Sequence, residues 1–137
     1  MKKKLVLTVV IAIAFVGISI YLLQPRLIAK DIDLLDIDRV IHNVDHEERT
    51  DITEQIDLDL LKERIGRYKC SRIPHSFSPY QGQDVLYMID GFYDNKPIHI
   101  ILGEINVVYE SSDKGGYKIK DSEKMLEEVI SLAESNN

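Results

Sequence analysis

The sequence predicts an α+β protein: an N-terminal transmembrane helix, then a small domain of antiparallel sheet with helices on one face. Three observations predict it. Leu5 to Leu23 runs nineteen residues without a charge. Short apolar runs with period-two alternation crowd the middle of the chain. The C-terminal stretch carries apolar residues at helical spacing. Residues 1–23 read as the anchor, 24–36 as a spacer, and 37–137 as one domain in the order strand, strand, helix, strand, meander, helix.

At 1.5 Å per residue the uncharged run spans roughly 28 Å, about the hydrocarbon thickness of a bilayer. Thr8 and Ser19 are mild interruptions that bond back onto the preceding turn, and Tyr21 sits where an interfacial aromatic belongs. Gln24, Pro25 and Arg26 end the run with a polar group, a helix breaker and a charge. Lys2, Lys3 and Lys4 hold the N-terminus in the cytoplasm and put the domain outside a bacterial-type membrane. Arg26 and Lys30 weaken that bias without reversing it. A cleaved signal peptide is the rival reading. Its apolar region is usually about 7–15 residues long and ends at an A-x-A-like site. The only such site here, Ala12-Ile13-Ala14, lies inside the run. Either route exports the domain.

Of the 17 basic residues, three are Lys2, Lys3 and Lys4, which leaves fourteen against 23 acids beyond the anchor, a formal charge of −9. An acidic surface argues against nucleic acid and anionic lipid headgroups as partners. Cationic peptides, cationic proteins or divalent ions suit it better, and acidity is also an ordinary route to solubility. A single cysteine, Cys70, excludes an internal disulfide. It falls in an expected strand, as a small buried hydrophobe.

Asp31 to Asp38 nearly alternates acids with aliphatics, the pattern of a half-buried strand, and Ile37, Val40 and Ile41 continue it. His42 to Glu48 is rich in turn formers, and Arg49 to Ile52 is the return strand of a hairpin. Asp57 to Arg67 reads as a helix, with Asp57 as N-cap, a stripe of Leu60, Leu61 and Ile65, and Gly66 as the stop. Its start can lie as early as Thr53. Tyr68 to Ile73 is a short strand, and Pro74 to Gln83 is a loop. Asp84 to Phe92 puts Val85, Tyr87 and Ile89 on one face and Leu86 and Met88 on the other. Asp94-Asn95-Lys96-Pro97 turns the chain into a strand at Ile98 to Leu102. Gly103-Glu104 turns it again into Ile105 to Tyr109. Ser111 to Gly116 is a polar turn before a closing strand at Tyr117-Lys118-Ile119. In the last helix, capped by Asp121 or Ser122, Met125, Leu126, Val129, Ile130, Leu132 and Ala133 share one stripe. Short links between successive strands require antiparallel pairing.

Sites of chemistry are weakly marked. His42 and His46 stand four apart beside Asp45 and Glu47. On a helix that spacing presents both imidazoles to one zinc ion, but Asn43 and Asp45 favour a turn. Asp31, Asp33, Asp36 and Asp38 invite a calcium reading, yet the stretch has Ile and Leu where an EF-hand loop needs glycine. His75, Ser76, Ser78 and Cys70 are close in sequence without a nucleophile signature. Gly115-Gly116 lacks the spacing of a phosphate loop. Tyr80, Tyr87, Tyr93, Tyr109 and Tyr117 suit either a binding surface or strand packing, with strand packing the expected use.

Ile37 to Val44 with its turn, the Thr53 to Ile65 helix, the proline loop ending in Tyr80, Val85 to Ile89, and Tyr117-Lys-Ile before a Glu-rich helix resemble small bacterial exported or membrane-anchored domains of unknown function. The likeness is one of pattern, and it implies an α+β fold and no assigned functional residue. The expected function is a membrane-tethered extracytoplasmic binding or accessory module. It has a protein or peptide partner, no nucleic acid, no cofactor and no catalytic activity. The alternatives are a metal-assisted hydrolase using His42 and His46, and a structural subunit of a membrane complex.

Overall fold

The computed structural model describes residues 2–29, 32, 33, 35–42, 47–75, 85–110 and 115–135. The first helix, α1 (Lys2–Leu23), contains one stretch, Lys4–Leu23, long and apolar enough to cross a membrane, and none of it is buried. A signal sequence has the same properties. As expected, the Thr8 hydroxyl donates to the Lys4 carbonyl at 3.0 Å and the Ser19 hydroxyl to the Phe15 carbonyl at 2.8 Å.

Beyond α1 the chain is an α+β fold. The strands are β1 (Arg26–Leu27), β2 (Leu35–His42), β3 (Glu47–Asp51), β4 (Lys69–Cys70), β5 (Val85–Tyr93), β6 (Lys96–Gly103), β7 (Val107–Glu110) and β8 (Tyr117–Lys118). Two helices, α2 (Leu58–Ile65) and α3 (Ser122–Glu134), complete it. Six strands form one sheet in the order β3-β2-β5-β6-β7-β8, and β1 pairs with β4 in a second, two-stranded ribbon. Every pair is antiparallel, as short connections demand. The β5–β6 turn places Asp94 and Asn95 at positive φ, 51° and 58°. These residue types tolerate that region best after glycine, and the conformation matches the twist of the flanking strands.

One sheet face carries the main core. Ile37, Tyr87, Ile89, Ile98, Ile100, Leu102 and Val108 meet Leu61 and Ile65 of α2 and Met125, Val129, Leu132 and Ala133 of α3. Alternation sends Met88, Ile101, Val107 and Val40 to the opposite face, where they form a smaller cluster with Ile105 and Tyr109. The Asp57 carboxylate caps α2, accepting from the Leu60 amide at 3.0 Å. Thr53–Gln55 is a separate 3-10 turn rather than the first turn of α2, because Ile56 leaves it extended at ψ 141°. At α3, Asp121 holds the N-cap position at φ 54° but makes no side-chain capping bond.

The largest difference from expectation lies in the segment read as a spacer. Arg26 and Leu27 pair with Cys70 and Lys69. The Ile28 amide donates to the Tyr68 carbonyl at 3.1 Å. Ile28, Ala29 and Ile32 are buried in the main core. Gly66 stops α2 at the expected place for an additional reason. Its φ is −61°, so no left-handed turn requires it. Instead, a Cβ there would stand 3.3 Å from the Ala29 carbonyl oxygen, so glycine lets this segment lie against the helix end. Charge alternation near Asp31 to Asp38 masked the aliphatic residues that pack inward.

Candidate functional site

The Arg26 guanidinium lies over the Tyr117 ring, 4.6 Å from its centroid, and is ion-paired with Glu110. Arg26, read in the sequence as the charge that ends the apolar run, therefore fastens β1 to the main sheet. Closer to α1, Arg72 stacks over the Tyr21 ring at 4.3 Å and donates to the Tyr21 hydroxyl at 3.1 Å. The domain thus grips the last turns of α1 through an aromatic side chain.

Between the end of α2 and the start of α3 lies a cleft of about 310 Å³, lined by Arg67, Tyr68, Lys69, Lys120, Asp121, Lys124 and Glu128. Main-chain bonds bring its two walls together. The Lys120 amide donates to the Lys69 carbonyl at 2.8 Å, which ties the start of β4 to the link between β8 and α3. Cys70 and Ile119 continue that contact as a bridge. Across the helices, Arg64 pairs with Glu128 at 3.6 Å, and Arg67 pairs with Glu63 one turn back on α2. Among the described residues, no carboxylate lies within ion-pair distance of Lys69, Lys120 or Lys124.

Tyr68 forms the floor of the cleft. It is 8% exposed, and its hydroxyl is buried with no partner in hydrogen-bond geometry. Burial foremost, then the nearby Glu128 carboxylate, push its pKa up to about 12. The group stays a neutral O–H donor at any ordinary pH, and a buried donor without an acceptor is costly. The acceptor beside it is the Glu128 carboxylate, which Arg64 engages and which makes no well-formed hydrogen bond with the hydroxyl.

The other candidates are dispersed. Asp36, Asp38, Asp51 and Asp90 gather on the sheet face away from the helices, since Asp38 pairs across strands with Asp51 and Asp36 with Asp90. The Asp38 carboxyl is pushed up, by burial first and then by Asp51 and Asp90. Asp90 Oδ1 and His99 Nδ1 are in hydrogen-bond contact at 2.6 Å. Among the described residues no three metal-ligating side chains stand together. Asp31 and His46 lie outside the described residues, and so does the His42 side chain, whose backbone ends β2.

Ser76 and Ser78 also lie outside. His75 makes two backbone bonds to Gly116, and a Cβ at Gly115 would meet its carbonyl oxygen at 2.5 Å, which accounts for the glycine pair. Cys70 is fully buried, and burial pushes its thiol pKa up. Tyr87 and Tyr117 are core residues, Tyr109 packs on the smaller cluster, and Tyr93 is partly exposed. Tyr80 is outside the described residues.

The cleft lysines went unnoticed in the sequence because the domain is acidic as a whole. The signal that marks them is local: Arg64, Arg67 and Lys69, and then Lys118, Lys120 and Lys124, are two short basic stretches within a chain that carries an excess of acids. In comparisons with known proteins, no family model matches this chain, and neither a curated protein nor a solved structure matches it.

Proposed function

We propose that this chain is a single-pass membrane protein whose N-terminus is cytoplasmic and whose domain is a non-catalytic binding module held against the outer membrane surface. The observation that carries this reading is the absence of a free linker. Only Gln24 and Pro25 separate α1 from β1, and the residues after β1 are core. A domain joined so closely stays within a few ångströms of the membrane plane and works on what reaches that plane. Lys2, Lys3 and Lys4 support the orientation through the positive-inside tendency. If the run were instead a cleaved signal, cleavage would have to fall before Arg26 to spare the fold.

Orientation is tested with a cysteine at an exposed site, because native Cys70 is buried. Glu127→Cys on the outer face of α3, in a Cys70→Ala background, should react with a membrane-impermeant maleimide on intact bacterial cells. Reaction only after lysis would place the domain in the cytoplasm and sink the proposal.

A further inference from the structure

We infer that the cleft between the end of α2 and the start of α3 is a binding site for a phosphate group, held by Lys69, Lys120 and Lys124 and by the Tyr68 hydroxyl. The inference rests on the reading of the domain as a binding module and names the chemistry it would bind.

Charge is the first argument. Four cations and two carboxylates line the cleft, so it is net positive within a domain of charge −9. Glu128 is engaged by Arg64 and Arg67 by Glu63. The groups left to meet a ligand are three lysines and Asp121. Lysine ammonium groups are point charges with rotatable donors and suit the several oxygens of a phosphate, whereas a planar carboxylate is better met by a free guanidinium fork.

The second argument is independent of charge. The Tyr68 hydroxyl is a buried donor lining the cleft, and with the Glu128 carboxylate beside it engaged by Arg64 it completes no well-formed hydrogen bond to an acceptor. A phosphate oxygen supplies one. The amides of the first turn of α3 also lack a side-chain cap, and such amides favour an anion. Asp121 disfavours an anion at that end, which puts the ligand against the lysines and the tyrosine.

The cleft is coupled to the membrane junction through its own backbone. Tyr68 accepts from Ile28, and Lys69 pairs with Leu27. Leu27 is four residues beyond the last residue of α1, and four extended residues span at most about 14 Å. A phosphodiester on a lipid headgroup and a soluble phosphate ester both fall within reach.

The full chain is held in dodecyl maltoside micelles, which contain no phosphate, and the amide resonances of Lys69, Lys120 and Lys124 are followed while inorganic phosphate is added. Saturable shifts at these residues are expected. The Lys120→Gln/Lys124→Gln double variant should weaken binding tenfold or more, and Tyr68→Phe several-fold. Lys118→Gln, an exposed lysine outside the cleft, should leave it unchanged. In a second arm the micelles are mixed with phosphatidylglycerol and no inorganic phosphate is added. Shifts there identify the lipid headgroup as the source, and shifts only with soluble phosphate identify a soluble ester. Either outcome supports the site. The inference is overturned if neither arm moves these resonances, or if Lys118→Gln weakens binding as much as the double variant. The maleimide result is independent of this one, so failure here leaves the topology standing.

Discussion

Val129→Asp should leave the domain without a cooperative thermal transition. Val129 is 2% exposed and lies on the stripe where α3 meets the sheet and α2. Burying a side chain of this kind contributes about 1.5–3 kcal/mol, all of which the substitution forfeits. The larger effect is the carboxylate itself. An unpaired charge in an apolar core costs several kcal/mol more, roughly what a small domain has in total stability, about 5–15 kcal/mol. Circular dichroism of the soluble domain, residues 24–137, checks this directly. Glu127→Lys, two residues away on the exposed face, should stay within about 0.5 kcal/mol of wild type. A Val129→Asp domain with a melt close to wild type would mean that the stripe faces outward.

Deleting residues 24–36 should be nearly as damaging. A fragment of residues 37–137 keeps the six-stranded sheet apart from the first two residues of β2, and both domain helices, and by sequence pattern alone it looks complete. It lacks β1, the Arg26 contacts to Glu110 and Tyr117, and the buried side chains of Ile28, Ala29 and Ile32. Loss of each isoleucine from a packed core costs about 2–5 kcal/mol by analogy with truncation to alanine. The two together rival the stability of the domain. The shorter fragment should therefore show native-like far-ultraviolet signal at most, with no sharp urea transition, while residues 24–137 unfold cooperatively. Equal midpoints for the two fragments would refute this account of the segment.

The α+β class, the antiparallel meander, the Asp57 cap and the apolar stripe of α3 were all legible because each depends on local periodicity or a single cap. The anchoring segment was not. Its packing depends on Gly66 leaving room for the Ala29 carbonyl and on Lys69-Cys70 offering an edge to Arg26-Leu27. Those are contacts across some forty residues that no window of sequence contains. The cleft was hidden for a similar reason. Lys69 and Lys120 are brought together by one backbone hydrogen bond between β4 and the distant link from β8 to α3, and total charge pointed the other way. Tyr68 illustrates the limit well. The strand read over Tyr68 to Ile73 is only Lys69–Cys70, with Tyr68 just ahead of it, and a buried hydroxyl without a well-formed bond emerges only from three-dimensional packing.

The chain leaving α1 is already part of the folded domain. The Ile28 amide is the most direct reporter, because its bond to the Tyr68 carbonyl, 3.1 Å long, exists only if the segment is packed. Native-state hydrogen exchange on the full chain in micelles should find this amide as protected as the amide of Ile89 in the centre of the sheet, opening only with the whole domain. Exchange of Ile28 at the rate of an open chain, with Ile89 still protected, would show a free spacer and contradict the central claim.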